Sequence, residues 1–269
     1  MGSFIDKKDL SGISDIDTIV ICNQLNKIIF DKCIDNVKKI NLNKFGLKNQ
    51  NIIINSTFGP LKFDRPKTIV IHLMIYDIIG HKNHVLASPF TCYDWERSKV
   101  YKGKSLKNIF SAGRVQFNDF FEARRGLKNY IEDIKNNNIS YREYVFSKGL
   151  YKERKKKFRL DKGHEVEYLY HIIKYLLINY LKLFEGKNIY YSNSLIKTKL
   201  EQIFVDSEIN YSRYFSLIAE KKIKKVKVLK ENKNLIFNFI NNFQNIIEKD
   251  YSKSIKIKFI RHLKTKLNV

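Results

Sequence analysis

Long apolar runs are missing from this chain of 269 residues. The longest fall far short of the roughly 20 residues that a membrane-spanning helix needs, and the N-terminus lacks the basic stretch and apolar run of a secretory signal. No membrane partner is expected, and the chain is placed in the cytoplasm. Cysteine is scarce: Cys22, Cys33 and Cys92 are odd in number and far apart. That excludes a disulfide framework and any paired Cys or Cys/His spacing suited to zinc, and implies reduced thiols in or near the core. Proline is scarcer in effect, because Pro60, Pro66 and Pro89 all lie between 60 and 89. Everything beyond is free to form long helices. Acidic residues are few, with 27 against 51 basic ones.

What is present is a hydrophobic fraction of 43%, enough for a proper core in one large domain or two modest ones. The formal charge of +24 suits a polyanionic partner, since lysine and arginine gain affinity for phosphates by releasing counterions. The abundance of Lys, Asn and Ile together is also what an AT-rich coding bias produces. The excess is uneven: residues 1–150 carry 24 basic and 15 acidic side chains, and residues 151–269 carry 27 and 12. RNA or another polyanion would therefore meet the C-terminal half.

Residues 16–22, Ile-Asp-Thr-Ile-Val-Ile-Cys, read as a buried strand, and 23–39 as a helix with one apolar face through Leu25, Ile28, Ile29, Ile34 and Val37. Residues 51–56 and 68–76 read as two further strands, joined by a loop holding Gly59, Pro60 and Pro66. From about Ser105 the patterns become helical, at 114–135 and 140–148, then at 164–184, 193–205, 207–222 and 231–248. The 164–184 segment is apolar around most of its circumference, as the centre of a bundle would be. It stops at Gly186-Lys187-Asn188, and the basic 251–267 segment is weakly amphipathic. The expected fold class is α+β: a small mixed-sheet domain over 1–105, a helical connector over 106–162 and a helical bundle over 163–269.

One constellation carries chemistry. Gly2-Ser3 is followed, after eleven residues, by Ser14-Asp15-Ile16-Asp17 and then the apolar strand. Alternation puts Asp15 and Asp17 on one face, where two carboxylates can hold a hard divalent cation. Gly2 permits close approach of backbone to phosphate, and the Ser3 hydroxyl can bind its oxygens. The pattern resembles the polymerase-β-type nucleotidyltransferase superfamily, in which a Gly-Ser pair opens a helix and a downstream Asp-x-Asp begins the next strand. That resemblance covers roughly residues 2–80, and the bundle behind a catalytic domain is similar in architecture. It implies Mg²⁺ or Mn²⁺ as cofactor, a nucleoside triphosphate such as ATP as substrate, and transfer of a nucleotidyl group to an acceptor hydroxyl on a small molecule or protein. RNA is the alternative acceptor, and a nucleotidyltransferase-fold binding module or antitoxin-like protein is the non-catalytic one.

The sequence departs from the family in three places. The helix and strand that usually precede the Gly-Ser pair are not in the chain, and Ile5-Asp6-Lys7 stands where many members have a small residue, Arg and Gly. The third carboxylate usually sits on a neighbouring strand, yet the polar centre of 68–76 is His72, a candidate base, phosphate contact or hydrogen-bonded core residue. Asp64 and Asp77 are the reserve metal ligands, although Asp77, five residues on, should face the other side.

Arg65 and Lys67, or Arg124-Arg125, could hold a triphosphate or be solvated surface charges. The loop-like 88–97 segment, with the single Trp95, could stack on a base or close a core edge. The run 152–162 holds seven basic and two acidic residues, suited to a polyanion or to a solvated helix end or linker. Tyr168, Tyr170, Tyr175 and Tyr180 are spaced as core residues.

Overall fold

The computed structural model describes residues 15–45, 51–59, 61, 68–113, 129–160, 162–185, 191–224, 234–246, 248–250 and 252. Both helix and strand are present, with a small sheet and several helices. Strand β1 (Ile16–Cys22) leads into helix α1 (Lys27–Lys38), then β2 (Asn51–Asn55) and β3 (Thr68–Asp77). The three strands run in the order β1-β3-β2, with β3 parallel to both neighbours. The sheet expected to be mixed is therefore parallel across its described strands, and antiparallel pairing is confined to a separate hairpin. β3 is buried along most of its length, as its near-continuous Ile-Val-Ile-His-Leu-Met-Ile-Tyr demands.

The two faces of β3 bury different partners. Ile71, Leu73 and Ile75 pack beneath α1, against Ile29, Phe30, Cys33, Ile34 and Val37. Met74 and Tyr76 point the other way, into a cluster with Phe58, Val85, Cys92 and Trp95. Asn26 rather than Asn23 starts α1, because its side chain accepts the Ile29 amide at 2.9 Å. Helix α2 (Ile78–Ala87) follows β3 without a loop, and α3 (Pro89–Trp95) follows with its proline in the first turn. The 88–97 segment is thus mostly helix and core. Trp95 stacks on His84 with ring centroids 5.0 Å apart. Burial drops His84 to about 3, helped by the charges of Arg142 and His81, so the ring in that stack is neutral.

After the short α4 (Leu106–Ile109) and a helical stretch at 129–135, α5, the chain forms a hairpin of β4 (Asn138–Ser147) and β5 (Leu150–Arg159). The sequence pattern had suggested helix for 140–148 and a helix end or linker for 152–162. Alternating aromatic and polar residues in Ser-Tyr-Arg-Glu-Tyr-Val-Phe suit a half-buried strand equally, and the turn decides. Lys148 and Gly149 both have positive φ, 49° and 76°, as a two-residue hairpin turn requires.

Helices α6 (Lys162–Glu185), α7 (Asn193–Ile203), α8 (Tyr211–Lys224) and α9, residues 234–246, form the bundle. Its core joins Ile172 and Leu177 of α6 to Ile196, Phe215, Phe239 and Phe243. Tyr168 is buried there, while Tyr170, Tyr175 and Tyr180 pack at its margin. No helix among the described residues is long and apolar enough to cross a membrane. The 114–128 segment, Gly186-Lys187-Asn188 and nearly all of 251–267 lie outside the described residues.

The 106–162 region is therefore a helix-flanked hairpin rather than a helical connector, and it is stitched to both sides. Buried Asp133 of α5 accepts the Ser140 amide at 2.8 Å, the Ser140 hydroxyl at 2.7 Å and the Tyr168 hydroxyl at 3.1 Å. On its other side Arg142 exchanges backbone hydrogen bonds with Phe58, and the bundle also meets α3 directly through buried Lys182, 3.3 Å from Asp94. Removing a shared acceptor strands all of its donors, whereas removing one donor leaves the others paired. Asp133→Ala should cost roughly 3 kcal/mol of stability and Tyr168→Phe about 1 kcal/mol. Urea denaturation measures both, and equal losses would refute the hub role of Asp133.

Candidate metal and phosphate site

Parallel pairing brings the polar residues of the three strands into one row. Asp17 of β1 lies opposite His72 of β3, and His72 lies opposite Asn55 at the end of β2. Strand alternation puts His72 on the same face as Met74 and Tyr76. It is the polar interruption of that apolar face.

A chain of hydrogen bonds fixes the row. The Asn55 side chain is buried, and its Oδ1 accepts both the Thr57 amide at 3.1 Å and the Thr57 hydroxyl at 2.7 Å. Its Nδ2 donates to the Leu61 carbonyl at 3.3 Å. This side-chain-capped turn sets the direction of the Thr57 carbonyl. That carbonyl accepts a hydrogen bond from His72 Nε2 at 2.8 Å, and His72 Nδ1 meets Asp17 Oδ1 at 2.9 Å.

The partners dictate the state of the ring. A carbonyl oxygen can only accept, so Nε2 carries a hydrogen. A carboxylate facing Nδ1 favours a second hydrogen there, and with it the charged form of the ring. The energetics agree. Burial pulls the His72 value down, but the Asp17 hydrogen bond and charge, the Thr57 carbonyl and the Asp15 charge together leave it raised above 6.5. Both ring nitrogens are thus engaged, and the ring's part is to orient Asp17.

Asp15, just before β1, completes the group. One ligand atom each from Asp15, Asp17 and His72 lie within 4.8 Å of one another. Asp77 does not join it. Its carboxylate caps α2 through the Gly80 amide at 2.6 Å and accepts the Tyr151 hydroxyl at 2.7 Å. Gly2, Ser3, Ser14, Asp64, Arg65, Lys67, Arg124 and Arg125 lie outside the described residues.

Comparison with protein-family models, curated proteins and solved structures finds no match to this chain. The site is therefore read from its own geometry.

Sequence reasoning overlooked Asn55, Thr57 and the hairpin behind them. The run Asn55-Ser56-Thr57 after an apolar strand was the available signal, since Asn and Thr at this spacing favour a capped turn. The turn is also held from outside: Phe58 and Arg142 exchange both backbone hydrogen bonds at 2.8 Å. The Arg142 guanidinium lies 5.8 Å from the centre of the Phe58 ring. Gly59 has φ +142°, and a Cβ there would stand 3.1 Å from Ser140 O and Tyr141 Cα. Glycine is required where the backbones approach so closely.

A raised folded value makes the His72 interaction stabilising below its ordinary 6.5, and the stabilisation fades as the pH climbs through the folded value. In chelator, the stability gap between wild type and His72→Gln should be widest near about pH 5.5 and narrow by about pH 9. Denaturation midpoints across that range measure it, and a gap independent of pH would exclude an imidazolium.

Proposed function

We propose that the chain is a metal-dependent nucleotidyltransferase of the polymerase-β type, acting on a nucleoside triphosphate. The observation that carries the reading is the convergence of Asp15 and Asp17, from the Asp-x-Asp that opens β1, on one site beside the central strand. The preceding Gly2-Ser3 and Ser14 supply the sequence side of the case, as a phosphate grip.

The donor set fits a divalent cation in part. Asp15 and Asp17 would hold Mg²⁺ or Mn²⁺, since hard cations take carboxylate oxygens. His72 does not suit Mg²⁺ as a ligand, because imidazole is a softer donor and its Nδ1 is hydrogen-bonded to Asp17. A bound cation would offset the negative charge that grows on the triphosphate as pyrophosphate leaves. The chain's own work is positional. His72 holds Asp17 from one side, Thr57 holds His72, and Asn55 holds Thr57. In the reaction proposed, an acceptor hydroxyl oxygen bonds to the α-phosphorus while the α–β bridging bond breaks, the hydroxyl proton passing to a base or solvent.

A second reading is a nucleotide-binding module without turnover. One observation favours it: among the described residues, the group that comes together has His72 where a third carboxylate would stand.

One experiment separates the two. The protein is incubated with each labelled nucleoside triphosphate, Mg²⁺ or Mn²⁺ and cell extract, and labelled products are identified. Transfer should fall by at least about a hundredfold in the Asp15→Asn, Asp17→Asn double variant, a drop typical for lost transition-state charge stabilisation. Metal-dependent binding with no transfer would support the module, and neither binding nor transfer would sink both readings.

A further inference from the structure

His72 interrupts an otherwise apolar strand, and parallel pairing sets it beside Asp17. Its two ring nitrogens do different work. Nε2 donates to the Thr57 carbonyl at 2.8 Å, and that carbonyl is aimed by the buried Asn55 side chain, which holds the Thr57 amide and hydroxyl. With a hydrogen committed to Nε2, the Nδ1 edge of the ring is the one turned to the carboxylates, 2.9 Å from Asp17 Oδ1. Metal-binding histidines are almost always built this way: one nitrogen is on the cation, and the other donates its N–H to a carbonyl or carboxylate that fixes the ring.

The spacing suits a cation as well. Two ligand atoms about 2.1 Å from a cation, at right angles across it, stand about 3 Å apart. Nδ1 and Oδ1 are at that separation. A hydrogen bond has the same length, so the distance alone does not choose between them. Asp15 does. A histidine needs one carboxylate as a hydrogen-bond partner, yet a second brings an oxygen within 4.8 Å of both ligand atoms. Two carboxylates at one place are an excess of negative charge that a dication offsets. The group also has a path from solvent, with the Asp17 and His72 side chains 24% and 13% exposed.

We propose that His72 Nδ1 is the third ligand of this group, which makes it a site for a first-row transition-metal dication such as Mn²⁺ rather than for Mg²⁺. The cation takes the place of the hydrogen between Nδ1 and Asp17, which leaves to solvent, while the Nε2 bond to Thr57 stays. Two carboxylates and one imidazole form a mixed oxygen and nitrogen set. Mg²⁺ takes oxygen ligands, whereas imidazole suits the transition metals. Three protein atoms leave the other positions of the cation to water or phosphate oxygens. The inference rests on the reading of Asp15 and Asp17 as metal carboxylates; it does not depend on nucleotidyl transfer.

The test is a titration of the full chain with Mn²⁺, read as the loss of the free-ion signal in electron paramagnetic resonance, with Mg²⁺ as competitor. Pulsed measurements on the bound Mn²⁺ then look for the coupling of a directly bound imidazole nitrogen. Wild type should show that coupling. The Asp15→Asn, Asp17→Asn double variant should lose both the binding and the coupling, which assigns the nitrogen to this site among the six histidines of the chain. In His72→Gln, checked for folding by circular dichroism, the coupling should vanish and the ratio of Mn²⁺ to Mg²⁺ affinity should fall at least about tenfold.

The ratio separates a ligand from a residue that only positions Asp17, because lost positioning weakens both cations alike. Mn²⁺ bound without nitrogen coupling in wild type would overturn the proposal whether or not the variant folds, and so would equal losses of Mn²⁺ and Mg²⁺ in His72→Gln. Either result leaves the nucleotidyltransferase reading standing. Nitrogen-coupled binding without nucleotide transfer would support the site and count against the enzyme alone. Binding of neither cation would sink both.

Discussion

The bond between His72 and Asp17 is the constraint around which the site is organised. It joins two strands whose register is fixed by parallel pairing, and it raises the ring's readiness to hold a second hydrogen. Each partner is itself held. Thr57 turns its carbonyl to the ring because Asn55 captures its amide and hydroxyl, and the turn is pressed into place by the bridge between Phe58 and Arg142. When it carries its second hydrogen, the ring beside Asp15 and Asp17 lowers the cost of holding two carboxylates close together. Preorganised polar groups of this kind are what a cation or phosphate site needs, because they do not reorganise when the ligand arrives.

The same arrangement connects the sheet to the helical bundle. The hairpin lies between them, with Tyr144 and Phe146 against the sheet and Ile139 and Tyr141 against the bundle. At its base Asp133 gathers donors from β4 and α6, and Lys182 answers Asp94 across from α3. The basic outer strand is thus mounted on packed elements on both sides rather than on a loop.

Much of the fold was legible in the sequence. β1 over 16–22 and the three-strand set followed from β-branched runs, and α6 followed from an apolar pattern too broad for a surface helix. The opposite facing of Asp77 and His72 followed from strand parity alone. The hairpin was not legible, because Ser140 to Phe146 satisfies helical spacing and strand alternation equally well. Its turn depends on Lys148 adopting positive φ, which nothing in a lysine announces. The run 152–159 looked like a solvated helix end because charge density hides the strand pattern beneath it. In the site, Asp15, Asp17 and His72 were visible as residue types. Their relation was not, since it depends on which strands are neighbours and on a backbone carbonyl that leaves no mark in the sequence.

The strand order carries a kinetic meaning. β3 is central, flanked by the earlier β1 and β2, and Asp17 meets His72 across 55 positions of chain. Parallel pairing at such separations must pay the entropy of closing the loop before any contact repays it, so these pairs form slowly. Helices of the bundle, built from local contacts, can assemble sooner. The arrangement of Asp15, Asp17 and His72 thus comes into being only when the sheet closes, and a chain with its bundle formed but its sheet open carries the basic and acidic residues without the site they make.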